Sequence, residues 1–106
     1  MANNINSKNP LECSNIDEVR HEIDNIDREI IRLLSVRSGY VHEVVKYKDG
    51  TAAGIEAPER RAAVLRTRRE WAEACGFDAD ITEELYRRIV QYYISEEMKL
   101  VNDNAK

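Results

Sequence analysis

Glycine and proline are scarce, four and two among 106 residues. So few chain-breakers exclude a turn-rich β fold and favour long helices. Apolar runs are short too: none approaches the roughly 18 residues that a membrane-crossing helix needs, and no membrane partner is expected. The opening "MANNINSKNP" lacks a basic segment followed by an apolar one and does not read as a secretory leader. There are two cysteines, Cys13 and Cys75, far apart and without metal-ligand spacing. They read as bystanders in a reduced, cytoplasmic setting. His21 and His42 sit in no cysteine or carboxylate pattern, so they read as surface residues and no metal is expected. No serine–histidine or cysteine–histidine grouping and no phosphate-binding glycine loop occurs, so neither nucleophilic catalysis nor a cofactor is implied.

An excess of positive charge is also missing. The formal net charge is -4, which argues against nucleic acid or an anionic membrane as partner. The basic stretch "RRAAVLRTRRE" is flanked by Glu59, Glu70 and Glu73 and reads as a solvated helix face. What is present is a soluble composition, 42% hydrophobic and 34% charged, enough for one domain with a modest core.

The hydrophobic pattern is helical. Residues 1–13 are polar and aperiodic, a loose arm before a single domain spanning 14–103. Ser14 reads as the cap of a first helix, with Asp17 in its first turn. Ile16, Ile23, Ile30 and Val44 then form one heptad series, and Val19, Ile26, Leu33, Tyr40 and Tyr47 the other. This predicts one helix from about residue 15 to about residue 47. The segment "KDGTAAGIEAP" reads as a loop. A second helix is expected from Pro58 to Cys75, stopped by Gly76. A third is expected after Asp78 or Asp80, with Asp80 and Glu83 resembling a capping box. It carries Ile81, Leu85, Ile89, Val90, Tyr93, Ile94, Met98 and Val101 and frays in "NDNAK". The expected fold is all-α, with one long and two shorter helices. A first helix ~50 Å long does not fit a compact monomer whose radius of gyration is ~13 Å, so the seam calls for a second copy of the chain.

Several ionisable groups stand on these apolar faces. Arg37 occupies the heptad position where the next aliphatic residue belongs. Lys48 follows about three turns later on the same helix, ~16 Å along the axis, so both point one way. Arg20 lies ~25 Å before Arg37 and can reach such a site only from the partner chain of an antiparallel dimer. Arg60 falls on the line Arg60, Val64, Thr67, Trp71, Ala74, the expected inner face of the second helix, and Glu97 lies on the apolar stripe of the third. Taken singly, each has a structural reading: snorkelling at a seam edge, a buried Arg37–Glu97 pair, or a register-setting polar residue. Together, several cations with one carboxylate call for a small dianion, naturally a dicarboxylate held by arginine forks. Without a nucleophile or metal, the chemistry must rest on positioning and electrostatic support, as in a pericyclic rearrangement.

The stretch "VRHEIDNIDREIIRLLSVRSGYVHEVVKYK" resembles the first helix of the all-helical chorismate mutase family. The family's I-D-x-I-D signature stands as Ile23-Asp24-Asn25-Ile26-Asp27, and its three helix-one cations match Arg20, Arg37 and Lys48. "LECSNIDEVR", "APERRAAVL", "WAEACGFDA" and "YYISEEMK" are similar to the isochorismate-pyruvate lyase branch, so the likeness runs from Leu11 to Lys99. It implies an intertwined homodimer in which Arg20, Arg37 and Arg60 bind substrate carboxylates, Arg20 from across the interface. Lys48 would contact a carboxylate and the ether oxygen of the breaking bond, and loop Asp49–Glu56 would close over the site.

Two departures matter. Where mutases carry acids that receive the chorismate hydroxyl, this chain has Ala57 and Arg61, which favours the lyase. Where lyases carry a glutamine that donates towards the ether oxygen, it has Glu97, which can donate only when protonated. The expected activity is release of pyruvate from isochorismate to leave salicylate, a siderophore or antibiotic precursor, with weak mutase activity alongside. Chorismate mutase, and a silent helical dimer with a regulatory or assembly role, are the alternatives.

Overall fold

The computed structural model describes residues 9–48, 54 and 57–104. Three long helices account for most of them: α1, Ile16–Val44; α2, Pro58–Cys75; and α3, Ala79–Asn104. No strand occurs among the described residues. Contacts divide the chain into two compact units, Met1–His42 and Glu43–Lys106, with the boundary inside α1. None of the described helices is long and apolar enough to cross a membrane.

The first unit is built on α1. Its cap is Asn15 and not Ser14: Asn15 Oδ1 accepts from the Glu18 amide at 2.9 Å, while Glu18 Oε2 accepts from the Ser14 amide at 2.8 Å. The cap and the acid three residues on form the reciprocal pair that satisfies early amides, displaced by one residue from the expected start. Further along, Arg32 Nε donates to Glu29 Oε2 at 2.9 Å, and this guanidinium holds the Glu29 carboxyl below the usual carboxylate range. No residue of α1 is buried. The seam residues Ile16, Ile23, Ile30, Leu33 and Tyr40 all stay exposed, Tyr40 at 73%. Of the arm expected over residues 1–13, the described part includes a 3-10 turn, Pro10–Glu12, which Asn9 caps through its side chain.

The second unit holds the α2–α3 hairpin. Pro58 stands in the first turn of α2, where its missing N–H costs nothing. Gly76 ends α2 at φ 76, and its amide and that of Phe77 close back on Glu73 and Ala72. Asp78 then caps α3, accepting from the Ile81 amide at 2.9 Å. Asp80 and Glu83 form no capping box. Both instead accept from Arg69 Nη1, at 2.8 and 3.3 Å, clasping α2 to α3 beside the turn. Val64, Leu65, Ala72 and Thr82 are the buried residues of this end. That rotates the inner face of α2 from the expected line: Arg60, Trp71 and Ala74 are exposed. Arg68 lies 4.5 Å from the Trp71 ring centroid and 5.7 Å from that of Tyr86, so its guanidinium covers aromatic faces that the core does not.

Candidate active site

The first of the ionisable groups lie on α1. Arg20 is exposed and Arg37 is half-buried. Both belong to one continuous helix, so a rise of about 1.5 Å per residue separates their backbones by ~25 Å. Two side chains so far apart on one rod do not grip one small ligand.

The helix ends at Val44, before Lys48. Val45–Tyr47 tighten into a 3-10 turn, and Lys48 is its cap, with φ -93 and ψ 155. The three-turn register drawn from Arg37 to Lys48 therefore does not apply, because the backbone is extended where the lysine sits. The Lys48 amide closes the turn on the Val45 carbonyl at 3.2 Å. This fixes the root of the side chain.

From there Lys48 Nζ donates to Glu97 Oε2 at 2.9 Å. The lysine side chain retains 22% exposure and the glutamate 7%. Glu97 is one of the two buried polar residues among those described, the other being Thr82. A carboxylate leaves water at a cost that an ammonium at hydrogen-bond distance offsets. The ammonium has three donors, and among the described residues Glu97 takes one of them. Nothing in the local sequence announced this contact. The two residues lie on different elements, and periodicity along either helix is blind to the pairing between them.

Arg60 stands exposed in the first turn of α2, off the buried face. Ala57, in a position where mutases carry an acid, is the N-cap of α2, left-handed at φ 37, and makes no side-chain capping bond. Arg61, unplaced by the sequence, lines an open groove of about 620 Å³ with Leu65, Glu84, Arg87, Arg88 and Gln91. Neither Lys48 nor Glu97 lines that groove. Loop Asp49–Glu56 lies outside the described residues except Gly54, which is helical. Cys13 and Cys75 are free thiols. His21 and His42 are exposed, as expected.

Within the second unit the structure thus brings together one part-buried lysine–glutamate contact, Lys48 with Glu97. The chain is 41% identical over 92 residues to the isochorismate pyruvate lyase of Pseudomonas aeruginosa, covering 87% of this chain and 90% of that one. It is 41% identical over 76 residues to the T-protein of Haemophilus influenzae, covering 72% of this chain but 20% of the relative. It is 32% identical over 89 residues to a bifunctional chorismate mutase/prephenate dehydratase of Aquifex aeolicus, covering 80% and 24%. The sequence profile of chorismate mutase type II matches residues 19–98, most of the chain, and the protein belongs to that family.

Proposed function

We propose that this protein is an isochorismate-pyruvate lyase working as a homodimer. The observation that carries the reading is the likeness to the Pseudomonas lyase, which extends over about nine tenths of both chains. Ala57 and Arg61 support it, since neither side chain accepts a hydrogen bond from a substrate hydroxyl at neutral pH. The exposed apolar seam of α1 supports the dimer, because a second copy is the economical cover for so long an apolar stripe.

In this reading Arg37 and Arg60 of one chain and Arg20 of the other bind the carboxylates of isochorismate. The enolpyruvyl tail is held folded over the ring. A ring hydrogen moves to the tail methylene as the ether C–O bond breaks, giving pyruvate and salicylate with no covalent intermediate. Lys48 stabilises the negative charge growing on the ether oxygen, an interaction stronger in the transition state than in the bound substrate. Glu97 stands beside it.

The second reading, chorismate mutase, draws on the Aquifex relative, whose name includes that activity, and on the family as a whole. Offering the purified protein isochorismate and chorismate separately tests both. Salicylate with pyruvate is the expected product. Prephenate alone makes the mutase reading correct. No product from either overturns both and leaves a non-catalytic helical dimer.

A further inference from the structure

We infer that Glu97 serves the site as an ionised counter-charge that positions the Lys48 ammonium, and not as a proton donor to the substrate. The inference rests on the lyase or mutase reading for its kinetic consequences, but its structural basis is independent of it. Glu97 Oε2 accepts from Lys48 Nζ at 2.9 Å, and the carboxylate is 6% exposed as a residue. A lysine ammonium donates and never accepts, so the carboxylate oxygen it faces carries the acceptor role. The lysine side chain has four rotatable carbons beyond a backbone already fixed by the Val45–Tyr47 turn. One buried acceptor at its tip removes most of the remaining freedom. The ammonium is then presented in one place.

Two consequences separate this arrangement from a neutral glutamic acid. First, the site holds one negative charge, so a dianion binds against it. Second, Lys48 depends on an acceptor at position 97, not on a donor. Glu97→Gln removes the charge and keeps an acceptor oxygen. Glu97→Ala removes both.

The experiment measures kcat and KM of both variants against isochorismate and chorismate, and records the 13C carboxyl resonance of Glu97 in the ligand-free protein at neutral pH. The expected carboxyl shift is that of an ionised group. The expected KM of Glu97→Gln is lower than wild type by at least about threefold, the gain of removing a like charge near the ligand. Its kcat stays within a few-fold of wild type, while Glu97→Ala loses at least about tenfold in kcat. A protonated carboxyl shift, or an unchanged KM in Glu97→Gln, overturns the counter-charge. Equal kcat values in the two variants overturn the positioning role. A wild-type protein inert towards both substrates refutes the enzymatic reading instead, and the carboxyl resonance still decides whether Glu97 is the ionised partner of Lys48.

Discussion

At the scale of the residue, the Lys48–Glu97 contact sets what the site costs and what it offers. The pair gains little net stability over an apolar pair of the same shape, because both ions lose water. Breaking one side is different. Lys48→Met leaves the carboxylate buried without its ammonium, and the expected loss is about 2 kcal/mol or more, below the full range for such sites because the lysine end is partly wet. Adding Glu97→Gln to Lys48→Met removes the stranded charge and recovers part of that loss. Urea unfolding of the two single variants and the double variant measures the coupling, and additive losses would show that the two side chains do not interact. Arg37, an arginine where an aliphatic residue belongs, and the run Ile23–Asp27 announced the family in the sequence. The partner of Lys48 was hidden, since the contact depends on where the chain turns after Val44 and on how α3 lies against that turn.

At the scale of the element, caps and turns decide where each helix begins. The heptad pattern placed α1 to within a few residues, because apolar periodicity is a property of many side chains at once, and Pro58 and Gly76 marked the ends of α2. The sequence misplaced the α1 cap by one position; of the two caps it offered for α3, Asp78 forms and the box at Asp80 does not. Side-chain oxygens at neighbouring positions compete for the same amides, and only geometry settles the winner. The predicted inner face of α2 failed for a related reason: Arg68 covers Trp71 and Tyr86 from outside, so a tryptophan read as core stands at 57% exposure. Two element-scale predictions follow from backbone and charge. Ala57 caps α2 in the left-handed region without a capping bond, so Ala57→Asn relieves strain and supplies an acceptor. The expected gain is about 1 kcal/mol in urea unfolding, and a neutral or negative result would contradict the left-handed cap. At the other end of α2, Arg87 first and then Arg69 hold the Glu83 carboxyl below the usual carboxylate range. A depressed folded value means that this stability is present above the unfolded value and lost as pH falls through the folded one. Glu83→Gln should therefore flatten the acid side of a melting-temperature profile below about pH 5, leaving the neutral side lower than wild type but parallel to it. A variant that loses stability with acid as steeply as wild type would show that the clasp carries none of the dependence.

At the scale of the whole molecule, the role proposed for Arg20 requires a second chain. Arg20 shares one rod with Arg37, ~25 Å away, and a helix does not bend to bring them together. The exposed seam of α1 leaves room for a partner, and Ile81 and Leu85 of α3 remain about half exposed as well. The proposed homodimer, in which each chain lends Arg20 to the other, is consistent with both observations. The arrangement makes a prediction that a site confined to one chain cannot share. Arg20→Ala and Lys48→Ala are each expected to abolish most turnover alone. Unfolded together and refolded, the two variants exchange chains, and about half of the dimers become mixed. In a mixed dimer one site collects both defects and the other has neither. About a quarter of all sites are then intact, and activity should return to roughly that fraction of wild type. If Arg20 served its own chain, every site in the mixture would carry one defect and no activity would return. Sedimentation of the mixture beforehand establishes that dimers formed, so a failure to recover activity speaks to the ownership of Arg20 and not to assembly.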